Sequence, residues 1–224
     1  MIDFAAARRM MVDGQVRTSD VTDRRLIGAM LQVPRERFLP PEKAELAYLD
    51  LDVPVTAPAP GVPARRLIKP MVLAKLIQAA EIESDDHVLD VGCATGYSTA
   101  VLAQLARQVT GLEQDAALIR LANDNLRKLG VANARVETVP LLTKGFPPQA
   151  PYDAILINGA SEIVPEALLA QLRQGGRLVC VLGRVPATKA MLYRAVGGEF
   201  SGRPIFDAAA PLLPGFAAPP AFVF

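Results

Sequence analysis

The sequence predicts an open, doubly wound α/β sheet, mostly parallel and seven-stranded, preceded by a helical extension. Three observations predict it. From Pro70 onward, short apolar runs alternate with segments of helical periodicity, the rhythm of a parallel sheet covered by helices on both faces. The first run passes into a small-residue loop and a new helix, Val88-Leu89-Asp90-Val91-Gly92-Cys93-Ala94-Thr95-Gly96-Tyr97. The second run ends in an acidic residue, Glu113, 21 positions after Gly92.

The elements follow in order. Residues 1–53 read as a helical extension, in which Leu26, Ile27, Met30 and Leu31 form one apolar stripe that Pro34 ends. Residues 54–69 form a proline-rich loop. The stretch from Asp52 to Pro63 holds Pro54, Pro58, Pro60, Gly61 and Pro63, and proline lacks a ladder donor and turns its predecessor away from helix. Residues 70–224 are the α/β core. Pro70 suits a first helical turn, and the buried face should be Val72, Leu73, Leu76, Ile77 and Ala80. Strands are expected at His87–Val91, Val109–Leu112, Ala134–Thr138, Ala154–Ile157 and Leu178–Leu182. Helices are expected from about Tyr97 to Ala106, from Asp115 to Leu129 before Gly130, and from near Pro165. Met191–Val196 and Phe222–Phe224 are candidates for closing strands.

Composition narrows the function. The chain has 224 residues, 21% of them charged, and a formal net charge of +1, so it offers no basic stripe for nucleic acid and no excess charge for an anionic membrane. Asp3, Arg8, Arg9 and Asp13 interrupt any signal-peptide core, and no apolar run approaches the ~20 residues of a membrane span. Cys93 and Cys180 sit in apolar contexts without metal-ligand spacing, and His87 is the sole histidine, so no metal site is expected. Reduced thiols fit a cytoplasmic protein.

The chemistry concentrates after the first strand. A dinucleotide loop beginning at Gly92 would need glycines at 94 and 97, where the chain has Ala94 and Tyr97. The loop Gly92-Cys93-Ala94-Thr95-Gly96 instead suits S-adenosylmethionine, which has no phosphate and lays its methionine ammonium and carboxylate over such a turn. Asp90 would face the ammonium, directly or through water. Glu113, followed by Gln114, is placed to accept hydrogen bonds from both ribose hydroxyls. Asn158-Gly159-Ala160 closes a later strand at its carboxyl end, where it suits a ligand contact or a plain turn equally.

With these residues in view, the sequence resembles the protein-L-isoaspartate O-methyltransferases over nearly its whole length. The specific part is N-terminal: Met11-Val12-Asp13-Gly14-Gln15-Val16-Arg17, Ala29-Met30, Val33-Pro34-Arg35-Glu36-Arg37-Phe38-Leu39-Pro40 and Ala47-Tyr48-Leu49-Asp50. Gly145-Phe146-Pro147, Ala150-Pro151-Tyr152-Asp153, Pro165-Glu166-Ala167-Leu168-Leu169 and Gly175-Gly176-Arg177-Leu178-Val179 continue it. The resemblance implies the class I methyltransferase (Rossmann-like) sheet and S-adenosyl-L-methionine as donor. It implies a protein or peptide partner whose isoaspartyl carboxylate is methylated in repair. Two positions depart. Where the family has a hydroxyl-bearing segment bordering the active site, this chain reads Arg66-Leu67-Ile68-Lys69-Pro70, and where the family has an acidic cofactor contact it has Leu141. The cofactor contacts implied are Asp90, Gly92, Cys93, Ala94, Gly96, Glu113, Gln114, Leu141 and Asn158, and Arg66, Ile68 and Lys69 border the acceptor.

Carboxyl methylation needs no general base, because a carboxylate of pKa about 3.9 is already ionised at neutral pH. It needs a grip on that carboxylate, for which Lys69, Arg66 and Arg65 are the nearest cations; they could equally be solvated loop charges. A methyltransferase with a changed acceptor, and a non-catalytic module that binds S-adenosylmethionine or a partner, are the other two readings.

Overall fold

In a computed structural model describing residues 2–59 and 63–219, the alternating segments form one seven-stranded sheet. The helices are α1 (Phe4–Met11), α2 (Arg24–Gln32), α3 (Pro70–Ala79), α4 (Tyr97–Ala103), α5 (Ala116–Lys128) and α6 (Glu166–Leu169). A two-residue pair, β1 (Val53–Pro54) and β2 (Arg66–Leu67), precedes the main sheet. That sheet comprises β3 (His87–Val91), β4 (Gln108–Glu113), β5 (Ala134–Thr138), β6 (Tyr152–Ser161), β7 (Leu172–Arg184), β8 (Ala187–Val196) and β9 (Glu199–Asp207). Their spatial order is β5-β4-β3-β6-β7-β8-β9. The first five are parallel, and β8 and β9 return as an antiparallel meander.

The chain runs outward from β3 to β5 and then crosses back to place β6 on the other side of β3. This reversal opens a crevice at the carboxyl ends of β3 and β6, the place where such sheets take ligands.

Side chains alternate across the sheet and divide the core in two. Val88 and Leu156 join one apolar cluster, and Leu89, Val91, Ile155 and Ile157 join the other. The first cluster also holds Met11, Val16, Leu26 and Met30 of the N-terminal segment with Leu73 and Leu76 of α3, so the extension is part of the same core. All five residues expected on the inner face of α3 are buried. Asp23 and Asp115 cap α2 and α5 by accepting hydrogen bonds from backbone N–H groups of the first turn.

Several expectations need correction. The stretch 52–63 is not all loop: Val53 and Pro54 pair antiparallel with Leu67 and Arg66. Pro54 is tolerated because a two-residue edge pair requires no donor from it. Helix α4 stops at Ala103 rather than near Ala106. Strand β9 was not anticipated: most of its side chains are exposed, and Pro204 falls beside a register shift, so it lacks a periodic apolar signal. Phe222–Phe224 lie outside the described residues.

Candidate functional site

The site is built from the ends of β3, β4 and β6. After Val91 the chain turns sharply, with Gly92 at φ +77° and its N–H bonded to the Leu112 carbonyl at 2.9 Å. Gly96 opens α4 at φ +90°, and a Cβ there would stand 3.2 Å from that of Ala122 on α5. Both positions thus disfavour ordinary side chains, through their left-handed φ and through close packing. Thr95 donates to the Phe38 carbonyl (2.7 Å) and Asn125 to the Thr95 carbonyl (3.1 Å), so the loop is pinned from both sides.

The two expected carboxylates lie at the ends of adjacent strands, but in different surroundings. Asp90 is fully buried and points toward α4, where its Oδ2 accepts from Ser98 Oγ (2.6 Å) and Thr99 Oγ1 (2.7 Å). Asn158 Nδ2 donates to the same Ser98 Oγ at 2.5 Å. The Oδ1 atoms of both Asp90 and Asn158 are buried with no hydrogen-bond partner among the described residues. Burial pushes the Asp90 carboxyl up to about 6, against the pull of the two hydroxyls.

Glu113, 1% exposed, is engaged at both oxygens. Its Oε2 accepts from Arg65 Nη2 (2.8 Å) and the Ala94 N–H (3.0 Å), and its Oε1 from the Gln114 N–H (2.9 Å). Arg65 Nη2 also donates to the Gly92 carbonyl at 3.0 Å, while Arg65 Nε has no partner among the described residues.

The remaining expected residues are dispersed. Cys93 is buried, and its thiol is held well above the ordinary range by burial. Gln114 Nε2 donates to the Pro140 carbonyl at 2.5 Å, and Leu141 beyond it is 47% exposed. Ile68 belongs to the core, and its carbonyl accepts from buried Arg35 at 2.8 Å. The Lys69 N–H donates to Asp52 Oδ1 (2.9 Å) and Arg66 Nη1 to the Asp52 carbonyl (2.9 Å). Arg66 lines a cleft of about 640 Å³ with Lys43, Pro54, Thr56, Pro211 and Leu212.

Sequence reasoning missed three residues here. Ser98 and Thr99 were detectable, since hydroxyls in the first turn of α4 face the preceding strand. Leu213 carried no local signal. It lies in the crevice because of tertiary packing: a Cβ on Gly159 would stand 2.6 Å from Leu213 Cγ, and one on Gly92 2.9 Å from Leu213 Cδ1.

As a pocket for S-adenosylmethionine, the site therefore gives a divided answer. Its polar groups fit, with acceptor oxygens open at Asp90 and Asn158 and a carboxylate at the end of β4. Its space is filled by Arg65 and Leu213, two side chains of the chain itself.

Comparison with known proteins agrees with the fold. The family model described as Protein-L-isoaspartate(D-aspartate) O-methyltransferase matches residues 7–202. A protein-L-isoaspartate O-methyltransferase 1 of Rhodopseudomonas palustris (strain HaA2) is 39% identical over 180 residues, covering 80% of this chain and 71% of that one. The protein-L-isoaspartate O-methyltransferase of Methanoculleus marisnigri is 36% identical, covering 79% of this chain and 77% of its own. Among solved structures, a protein-L-isoaspartate O-methyltransferase superposes with a TM-score of 0.79 at 22% identity, over 93% of this chain and 66% of that one. The Plasmodium falciparum protein described as a putative member, in complex with S-adenosyl-L-homocysteine, gives 0.73 at 19% identity, over 92% and 97%. At these identities the structural matches speak for the fold.

Proposed function

The chain belongs to the protein-L-isoaspartate(D-aspartate) O-methyltransferase family, a family of S-adenosylmethionine-dependent O-methyltransferases, and on that premise we propose that it methylates isoaspartyl carboxylates in damaged proteins. The observation that carries the reading is the arrangement at the switch point. Glu113 closes β4 directly beside the Gly92–Gly96 turn, its carboxylate already oriented by the N–H groups of Ala94 and Gln114.

In this reading Glu113 holds the ribose hydroxyls, and Gln114 borders the adenosine through its hold on Pro140, with Leu141 beyond. Gly92, Cys93, Ala94 and Gly96 contribute backbone that a ligand can approach closely. Asp90, kept in place by Ser98 and Thr99, and Asn158 offer unfilled acceptors to an ammonium group. When bound, S-adenosylmethionine supplies an activated methyl group. The protein's own work is alignment and exclusion of water, and positioning alone can be worth roughly 7–11 kcal/mol of a barrier. The acceptor carboxylate needs no base to ionise it.

The cleft beside Arg66 and Lys43 is the candidate entry for the acceptor peptide, and its cations suit a carboxylate. Ile68, expected at this border, has its side chain in the core and its carbonyl bonded to buried Arg35, so it lies behind the cleft rather than on it. The cations Arg66 and Lys43 at this border also favour a second reading, a methyltransferase with a different carboxylate acceptor. Two free, buried thiols support a cytoplasmic setting.

The test is methyl transfer from tritiated S-adenosylmethionine to an isoaspartyl peptide and to its ordinary aspartyl isomer. A base-labile ester on the isoaspartyl peptide alone is expected. Cofactor binding with transfer to a different small acid would move the assignment to the second reading.

A further inference from the structure

We propose that the tail segment Pro211–Phe216, together with the Arg65 side chain, is a built-in plug of the β3/β6 crevice, released when a nucleoside ligand binds. The inference rests on the cofactor reading above.

The tail lies along the end of β6. The Ala160 N–H donates to the Pro211 carbonyl (2.8 Å), the Leu213 N–H to the Ala160 carbonyl (3.0 Å), and the Glu162 N–H to the Phe216 carbonyl (2.9 Å). These bonds direct Leu213, 2% exposed, onto Gly92 and Gly159. The ladder between β6 and β7 slips between Leu156 and Ala160, so residues 157–159 depart from regular pairing where the tail docks. Arg65 meets the tail from the opposite wall: its Nη2 would stand 3.2 Å from a Cβ on Gly92, against 2.9 Å for Leu213 Cδ1.

Two observations bear on whether the segment can leave. First, three of the eight buried side-chain polar atoms without partners among the described residues, Asp90 Oδ1, Asn158 Oδ1 and Arg65 Nε, gather at the closed crevice. Native interiors rarely retain such a group, because each costs free energy that a bound donor or acceptor would recover. Second, the attachment is local: three backbone hydrogen bonds to the end of β6 and two buried side chains hold the segment. Leu213 and Phe216 are the buried apolar side chains of the segment, with Leu212 38% exposed between an Ala-rich stretch and Pro214.

The plug also divides the path of transfer. Leu212 lines the outer cleft while its neighbour Leu213 fills the crevice, so the segment is the wall between acceptor and donor places. Withdrawing it joins them. Withdrawing Arg65 frees a Glu113 oxygen while leaving the Ala94 and Gln114 N–H groups in place, so the ribose would meet an oriented carboxylate.

The test uses the full chain, with S-adenosylhomocysteine as probe. Its apparent dissociation constant is the intrinsic one divided by the open fraction. Leu213→Ser and Arg65→Gln should each bind at least tenfold tighter than the wild type. In wild-type protein saturated with the probe, amide exchange over residues 208–218 should accelerate. Equal affinity in all three proteins, with the tail still protected when ligand is bound, overturns the plug and leaves the cofactor reading standing. No binding at millimolar probe by folded, opened variants overturns both. If the variants fail to fold, exchange in the wild type decides alone: a tail that stays protected at saturation refutes the proposal.

Discussion

Two buried arginine–carboxylate pairs sit at opposite ends of the same sheet, and they are built differently. At the amino end, Arg177 on β7 meets Asp86 just before β3, with Nη2 to Oδ2 at 2.5 Å. The rest of that guanidinium is also spent: Nε donates to the Ala80 carbonyl (2.6 Å), Nη1 to that of Asp153 (3.0 Å), and Nη2 to that of Glu81. One side chain on β7 thus ties the end of α3 to the starts of β3 and β6. At the carboxyl end, among the described residues, the Arg65 side chain bonds only Glu113 and the Gly92 carbonyl, both through Nη2, and Nε has no partner. A buried pair does not by itself reveal its purpose. Saturation marks the amino-end pair as a clamp, whereas the unpartnered Arg65 Nε at the carboxyl end is what the proposed withdrawal of that side chain requires.

The same substitution at both ends breaks or sharpens this contrast. Arg177→Gln forfeits most of its carbonyl contacts and strands Asp86, so it should cost roughly 3–5 kcal/mol, the usual penalty for breaking a buried pair. Urea unfolding measures it, and a loss below 1 kcal/mol would remove the distinction between the ends.

The second effect concerns Asp90, the carboxyl-end carboxylate without a cation. Its folded value of about 6 lies above the ordinary 3.8, so the folded chain holds a proton that the unfolded chain has released. That contribution is fully present below about pH 4 and is lost as pH rises through 6. At ~1.4 kcal/mol per pH unit, the stability of wild type relative to Asp90→Asn should fall by roughly 3 kcal/mol between pH 4 and 7. Parallel pH profiles would show that Asp90 is not desolvated as described.

Arg65→Gln comes third. A glutamine retains a donor for Glu113, which also keeps two backbone N–H groups, so the expected loss is about 1–2 kcal/mol, accompanied by tighter ligand binding. A loss equal to that of Arg177→Gln would make Arg65 a second clamp. The smallest effect belongs to Arg66→Ala and Lys69→Ala, half-buried positions on the short strand β2 and at the start of α3, where stability should change by ~0.5 kcal/mol or less. Their consequence should appear as a raised KM for the acceptor peptide, with cofactor affinity unchanged.

The same division describes what the sequence makes legible. Strands His87–Val91 and Ala134–Thr138 and the inner face of α3 follow from local periodicity, and the structure agrees residue by residue. Asp90 and Glu113 are readable because a strand, a small-residue turn and a helix fix where a strand-end carboxylate must lie. Arg65 and Leu213 are not readable in the same way. Both reach the crevice from irregular segments outside the βαβ units, brought there by contacts at 27 and 48 residues' separation for Arg65 and by docking along β6 for Leu213. Periodicity carries no information about such contacts. Strand β9 escaped for a related reason, since an exposed edge strand with glycine and proline has no alternation to detect.

If the crevice beside Glu113 is the cofactor place, S-adenosylhomocysteine should bind Leu213→Ser protein firmly, and adding Glu113→Gln should weaken that binding about 10- to 100-fold, the usual worth of a hydrogen bond to a charged group. Equal affinity with and without the Glu113 carboxylate would contradict it.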